Sequence, residues 1–144
     1  MYHSITFYNG SESKNTWDDW RLIPTGRPVP VDPAPVYSYV DIPGSDGQKD
    51  LSDYLIGRPT LSDRSGAFEF YMTDGDLNWH TRRNDIVNYF KGRKMLMYLE
   101  DEPSVHYEGR FNAKVNPDPS FSKVIIEYRI KPYKYNDNGE EAGV

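Results

Sequence analysis

The segment KMLMYLEDEPSVHYEGRFNAKVNPDPSFSKVIIEYRI, residues 94–130, decides the fold. Three runs rich in β-branched and aromatic residues, at 94–99, 105–115 and 121–130, are separated by turn-forming Asp, Asn and Pro. The second and third runs alternate apolar and polar residues, which is typical of half-buried strands. The first is apolar nearly throughout, so we expect it to be central and covered on both faces. Together they predict an antiparallel β-meander.

A helix is predicted immediately before this meander, over residues 79–91. Asn78 is a suitable N-cap, and Gly92 follows in the position where helices commonly end. Its polar positions, Arg82, Arg83 and Asp85, are expected to face solvent. One apolar stripe should form the contact with the sheet: Trp79, Ile86, Val87 and Phe90, with Tyr89 beside them. The predicted fold class is therefore mainly β, a sandwich-like sheet with one α-helix packed on it.

Further strands are expected upstream, at residues 4–8, 36–42 and 66–73. The second of these runs into two tight turns in quick succession. Glycine adopts positive φ without the strain that other residues suffer, so two glycines here favour a sharp change of direction. We interpret this stretch as a structural corner between two pieces of sheet, formed by Asp41, Pro43, Gly44, Asp46 and Gly47.

A proline-rich stretch precedes that corner, over residues 24–36. Proline cannot donate a backbone hydrogen bond and favours an extended, stiff chain. Two interpretations remain open: a linker or edge loop, or an arm that contacts a neighbouring subunit. The residues of this candidate arm are Pro24, Arg27, Pro28, Pro30, Pro33 and Pro35.

The length of the chain and the distribution of its charge limit how many domains it can form and what it can bind. Its 144 residues fit one domain, expected over 1–135, followed by a flexible acidic tail over 136–144. The net charge of −5 is uneven, because residues 1–75 are acidic while residues 76–135 carry a basic excess. Most of this unevenness is ordinary for a protein surface, but copies that stack head to tail would need such a separation. An acidic chain does not favour sequence-specific DNA binding.

No catalytic, cofactor-binding or metal-binding motif is found in the sequence. Cysteine is absent, so disulfides and thiolate metal sites are excluded. His3, His80 and His106 are isolated and lack metal-ligand spacing. Neither a glycine-flanked nucleophilic serine nor a glycine-rich phosphate loop occurs. The N-terminus lacks the charged and apolar regions of a secretory signal, so we do not expect one. No apolar run approaches the length of a membrane span.

The order of several short motifs resembles the N-terminal, tail-tube-like domain of the distal tail proteins of siphophages. The resemblance runs to about Tyr135, and each motif alone is weak. The matching features are Trp17–Leu22, the proline-rich stretch, Val40–Gly47 followed by Asp50-Leu51-Ser52, Arg64, Phe68–Phe70, Gly92-Arg93-Lys94, Glu100-Asp101, Tyr107–Arg110 and Pro132–Tyr135.

This resemblance implies a structural virion protein and not an enzyme. The family would give a β-sandwich-like tail fold closed into a hexameric ring. Such a ring is the hub that joins the tail tube to the baseplate or tail tip and lets DNA pass without specific binding. Its partners are then copies of itself and other tail proteins, and it is located in the virion after assembly in the host cytoplasm. Many family members continue into a C-terminal galectin-like domain, and this sequence stops where that domain would be expected to begin.

Three other functions remain open. A related tail-tube or tail-completion protein would share the fold. A carbohydrate-binding β-sandwich would need an exposed aromatic platform, for which Trp17, Trp20 and Tyr37 are candidates. A small hydrolase would need two carboxylates paired across strands, which sequence alone cannot establish.

Overall fold

The computed structural model describes residues 2–54, 57–73, 78–118 and 121–144. Within them lie twelve strands and one α-helix. In chain order these are β1 (Ile5–Tyr8), β2 (Ser13–Asn15), β3 (Leu22–Pro24), β4 (Pro35–Val36), β5 (Tyr39–Asp41), β6 (Gln48–Asp50), β7 (Thr60–Leu61), β8 (Arg64–Met72), α1 (Trp79–Phe90), β9 (Arg93–Leu99), β10 (Glu102–Asn116), β11 (Ser122–Ile130) and β12 (Tyr135–Asn136).

One antiparallel sheet contains most of these strands, in the order β2-β1-β9-β10-β11-β8-β3, with β12 paired to β10. The predicted meander forms its centre, and α1 packs against it. The predicted fold class, mainly β with one helix on the sheet, is confirmed. No helix in the described part of the chain combines the length and apolar character of a membrane span.

Alternating burial along the central strands separates a core face from a solvent face. On β11 the residues Val124, Ile126, Tyr128 and Ile130 are buried, and the residues between them are exposed or half-buried. Strand β9 follows the same pattern, with Met95, Met97 and Leu99 buried and Leu96 and Tyr98 half-buried. The expectation that this run is covered on both faces was therefore wrong: β9 is central, but one of its faces is partly open.

The sheet is strongly curled, because its two edge strands are close together in the chain. In a flat sheet, β2 and β3 would lie about 29 Å apart across six strand spacings. Only six residues, 16–21, connect them, and the Leu22 N–H donates to the Thr16 carbonyl at 2.8 Å. Curling brings the edges together and encloses the core face around Trp20 and Leu22, both of which are fully buried.

Helix α1 fills the interior of this curled sheet with its aromatic end. Phe90 contacts the Phe7 ring edge-on at 4.8 Å and the Trp20 ring at 5.5 Å. Ile86 and Tyr89 are buried, Val87 is half-buried, and Trp79 packs at the margin of the core.

The ends of α1 differ from the predicted capping. The Asn78 side chain makes no capping hydrogen bond, and the left-handed conformation begins at Lys91, one residue before Gly92. Because a tertiary contact holds the first turn, with Trp79 Nε1 donating to Ser122 Oγ at 2.8 Å, the helix begins without a side-chain cap.

Two polar residues of α1 form hydrogen bonds to other parts of the chain. Asp85 Oδ2 accepts a hydrogen bond from Trp20 Nε1 at 2.6 Å. The Arg82 guanidinium donates to the Trp20 carbonyl at 3.0 Å and to the Thr73 carbonyl at 2.5 Å. Asp85 is exposed, as predicted, whereas Arg82 is half-buried, and both also bond to Trp20 in the connection between β2 and β3.

Phe90→Ala should be strongly destabilising, because the ring is fully buried between Phe7 and Trp20. We expect the free energy of unfolding to fall by roughly 3–5 kcal/mol. Chemical denaturation monitored by tryptophan fluorescence measures this loss. Asn88→Ala, at an exposed position on the same helix, is the control. Equal stability of the two variants would contradict the assigned packing.

Gly109→Ala should separate β10 from β11. An added Cβ would overlap the Arg129 carbonyl and the Ile130 backbone, neither of which can yield without moving the strand. We expect a loss of about 1–3 kcal/mol, the usual cost of overpacking. Gly26→Ala is the control, because nothing lies within 4 Å of its added Cβ and its φ is not positive. Matching melting temperatures for both variants would show that this strand pair tolerates separation.

Candidate functional site

Residues 29–54 form no strand of the main sheet, and we call them the exposed apolar segment because they carry many exposed hydrophobic side chains. Strand β4 pairs with β7, and β5 pairs with β6, in two small ladders of their own. Eight of the fourteen exposed large hydrophobic side chains of the described residues lie here: Val29, Val31, Val36, Tyr37, Tyr39, Val40, Ile42 and Tyr54. Such a concentration of exposed hydrophobic side chains in one segment of the chain points to an interaction site.

The predicted corner lies at the tip of the hairpin formed by β5 and β6, residues 39–50. Gly44 and Gly47 have φ of 79° and 72°, and the Ser45 N–H donates to the Ile42 carbonyl at 3.1 Å. Asp41, Pro43 and Asp46 are exposed beside them. The corner therefore does not join two pieces of the main sheet, because β5 and β6 pair only with each other. The strand predicted over 36–42 is likewise broken, between β4 and β5.

The proline-rich stretch packs on its own chain over its first half. Pro28 and Pro30 are buried, and the Val31 N–H donates to the Tyr128 hydroxyl oxygen at 2.9 Å. Arg27 Nε lies 3.3 Å from Asp101 Oδ2. Pro24 ends β3, Pro33 is half-buried, and Pro35 is exposed in β4. A contact of this arm with another subunit stays a prediction.

The C-terminal residues lie against the end of the sheet. Strand β12 pairs with β10, and Arg58 Nη1 lies 3.2 Å from Glu141 Oε2. Buried Arg64 donates from Nε and Nη2 to the Pro132 carbonyl at 3.1 and 2.9 Å. The flexibility expected for residues 136–144 stays a prediction.

The solvent face of the sheet carries five ion pairs among the described residues. Glu108 on β10 accepts from Lys94 at 3.1 Å and from Lys131 at 3.2 Å, and these two lysines hold the pKa of its carboxyl below the usual value. Lys114 pairs with Glu127 at 2.8 Å. Further pairs on this face are Lys123 with Glu69 and Arg129 with Asp63.

Two buried tyrosines tie the curled sheet together on its other face. The Tyr89 hydroxyl lies within hydrogen-bond distance of the Phe7 carbonyl, at 2.9 Å, and burial raises its pKa to about 12. Burial likewise raises the pKa of Tyr107 to about 12, with the charge of Glu102 adding to the effect. Both hydroxyls therefore stay protonated donors, which suits a structural role.

The described residues contain no group of three or more His, Asp or Glu side chains that could hold a metal ion. His3 Nδ1 lies 2.8 Å from Asp101 Oδ1. The His106 ring lies between the rings of Tyr98 and Tyr135. His3 and His106 therefore lie in separate surroundings.

Sequence reasoning missed one element of this surface. Lys94, Arg110 and Arg129 are cross-strand neighbours in register, Lys94 opposite Arg110 and Arg110 opposite Arg129. The alternation of apolar and polar residues along each strand could have predicted that these three side chains point to solvent. Their alignment depends on strand register, which a one-residue slip would abolish.

Comparison with known proteins bears on the fold. No protein-family model matches the chain, and no curated protein is similar to it in sequence. Among solved structures, the chain is similar to the SPP1 Dit (gp 19.1) protein, described as a paradigm of hub adsorption apparatus in phages that infect Gram-positive bacteria. The TM-score is 0.58 at 24% identity. The match covers 92% of this chain and 52% of that one, so the chain spans about half its length. The expected distal-tail-like fold is confirmed.

Acidification should weaken the contribution of Glu108. Because its pKa is lower in the folded state than in the unfolded chain, the unfolded state binds the proton more readily. The stabilisation is therefore complete above the ordinary glutamate pKa and is lost as the pH falls through the folded pKa. At neutral pH, Glu108→Gln should cost on the order of 1 kcal/mol, because the group is partly exposed. Denaturation of both forms at neutral and acidic pH measures the difference, which should shrink toward zero in acid. A constant difference would contradict this.

Proposed function

We propose that the protein is a structural phage tail component that forms a ring-shaped hub, a hexamer, between the tail tube and the baseplate or tail tip. The likeness in fold to the SPP1 Dit protein, over 92% of this chain, carries the proposal. Its partners are copies of itself and adjoining tail proteins, and its location is the virion.

The exposed apolar segment supports self-association. Residues 29–54 present Tyr37, Tyr39 and Tyr54 to solvent, where a monomer gains nothing from their exposure. The small β4–β7 and β5–β6 ladders leave their outer strand edges unpaired within the described chain, and a neighbouring copy can cover such edges. An interface between unlike surfaces closes into a ring when its rotation permits.

The solvent face of the sheet suits a channel that passes DNA without retaining it. Helix α1 lies on the core side, so in our proposal the sheet and not the helix faces the lumen. Lys114 and Lys123 are each paired with a glutamate, so they offer phosphate little net charge. Unpaired cations would instead bind the DNA backbone and release counterions, which favours retention.

The carbohydrate-binding alternative loses its proposed platform. Trp20 is buried, and Trp17 is stacked on Tyr2 with ring centroids 3.8 Å apart. Of the three aromatic candidates, only Tyr37 is exposed. A tail-tube or tail-completion protein would share the fold and would differ in its position along the tail, which immunogold labelling of virions distinguishes.

Native mass spectrometry and negative-stain imaging test the proposal directly. Six copies of a 16.7 kDa chain should give particles of about 100 kDa with a central hole. Dilute and concentrated samples should be compared, because an isolated hub assembles by mass action. Tyr37→Ser should shift the population toward smaller species, whereas Phe121→Ser, an exposed aromatic outside the segment, should not. A monomer at every concentration, with no ring in assembled tails, would refute the ring.

A further inference from the structure

Three cations form a row across the solvent face of the main sheet. Lys94 on β9 lies opposite Arg110 on β10, which lies opposite Arg129 on β11. Residues opposite one another in antiparallel strands project from the same face with Cβ atoms about 5 Å apart. The Lys94 and Arg129 side chains are 59% and 76% exposed. We call these three residues the cationic row.

The cationic row carries more positive charge than its surroundings neutralise. Like charges directly opposite each other destabilise a sheet. Glu108 pairs with Lys94, and Asp63 pairs with Arg129 at 3.2 Å. Arg110 donates only to the Gly92 carbonyl at 3.2 Å among its described contacts. The row lines a surface cavity of about 270 Å³ that also includes Lys131 and holds four cations against two carboxylates.

The hairpin carries the opposite charge. Residues 41–53 contain four aspartates, Asp41, Asp46, Asp50 and Asp53, and a single cation, Lys49. All four aspartates are exposed, and none forms an ion pair within the described part of the chain. Each hairpin therefore presents carboxylates that no cation of its own chain satisfies.

Strand register sets two of these carboxylates on one face of the hairpin. Asp41 lies opposite Gln48 and Tyr39 lies opposite Asp50, so all four side chains project to the same side. Asp41 and Asp50 are thus diagonal neighbours, about 7–8 Å apart. Their spacing lies between the about 5 Å that separates neighbouring members of the cationic row and the about 10 Å between Lys94 and Arg129. Tyr39 supplies an exposed aromatic surface beside them.

We propose that the cationic row of one copy binds the Asp41–Asp50 face of the hairpin of the next copy. This inference rests on the proposed function, because it assigns the contact through which the ring closes. A contact between two different surfaces of the same chain is heterologous, which is the kind that generates rings. Binding places the hairpin carboxylates against Arg110 and relieves the like-charge repulsion along the row.

The contact also accounts for the uneven charge of the chain. The acids that bind lie in residues 1–75, and the row lies in the basic part, residues 76–135. Because the row becomes paired on assembly, the closed ring exposes no cation cluster on the sheet face. The proposal therefore agrees with a lumen that does not retain DNA.

Charge reversal on each side, and on both together, tests this contact. Arg110→Glu with Arg129→Glu should weaken assembly tenfold or more, as should Asp41→Lys with Asp50→Lys, because like charges then meet. An equimolar mixture of these two double variants offers matched surfaces at every contact of a ring in which the variants alternate, and a chain with all four changes offers them at every contact of its own ring. That four-fold variant should therefore regain assembly to within about threefold of the parent.

A matched control changes the same net charge elsewhere on the same face. Lys114→Glu with Lys123→Glu lies on the sheet face but outside the row, and should leave assembly unchanged. Circular dichroism should show that every variant is folded. Equal weakening by the control, or failure of the four-fold variant to recover, would overturn the proposal.

Disulfide trapping tests this contact independently of whether a ring forms. The chain has no cysteine, so mixing Asp50→Cys protein with Arg110→Cys protein reports contact between copies. A covalent dimer should form on mild oxidation, and pairing Asp50→Cys with Lys114→Cys should give far less. Dimers without hexamers would support the contact and refute the ring, whereas hexamers without dimers would refute the contact and support the ring. Absence of both would refute both.

Discussion

The attachment of Trp20 to helix α1 is the constraint on which the curled sheet depends. The indole bonds to Asp85, the Trp20 carbonyl accepts from Arg82, and the ring packs against Phe90. These contacts fix the short connection whose two ends are the opposite edges of the sheet, β2 and β3. A helix that simply covered a sheet would contribute buried area alone, whereas α1 also holds the sheet in its closed shape. The Trp20 end of these bonds is buried, where an unsatisfied donor or acceptor is costly.

The meander and the helix could be predicted because their signals are local. Alternation along 105–130 and a stripe at helical spacing do not depend on what lies elsewhere in the chain. The roles of Arg82 and Asp85 could not be predicted, since charged residues on a helix normally face solvent and their partner is about 65 residues away. The hairpin was misplaced for a similar reason. Its two glycines indicate sharp turns, but nothing in residues 41–47 says whether the strands they join enter the main sheet.

Only part of the proposed assembly surface could be predicted from the sequence. Segment charges indicated an acidic and a basic region, and the resemblance supplied the expectation of a ring. Alignment of Lys94, Arg110 and Arg129 is a property of the pairing between three strands, so it emerged only with the register. The proline-rich stretch shows the opposite case. Its stiffness left an edge loop and a subunit-contacting arm equally open, and the structure shows that Pro28 and Pro30 are buried on the chain itself while Val31 bonds to Tyr128.

The position of β1 has a consequence for how the protein forms during synthesis. Ile5 pairs with Leu99, so the first strand made by the ribosome has β2 as a neighbour early but waits for about ninety further residues before its second partner, β9, exists. The pairing of β3 with β8 spans about fifty residues as well. Contacts this far apart in sequence give a high contact order, which is associated with folding in milliseconds to seconds. Until β9 emerges, the apolar face of β1 has no permanent neighbour. The nascent chain is therefore open to chaperone binding for most of its translation.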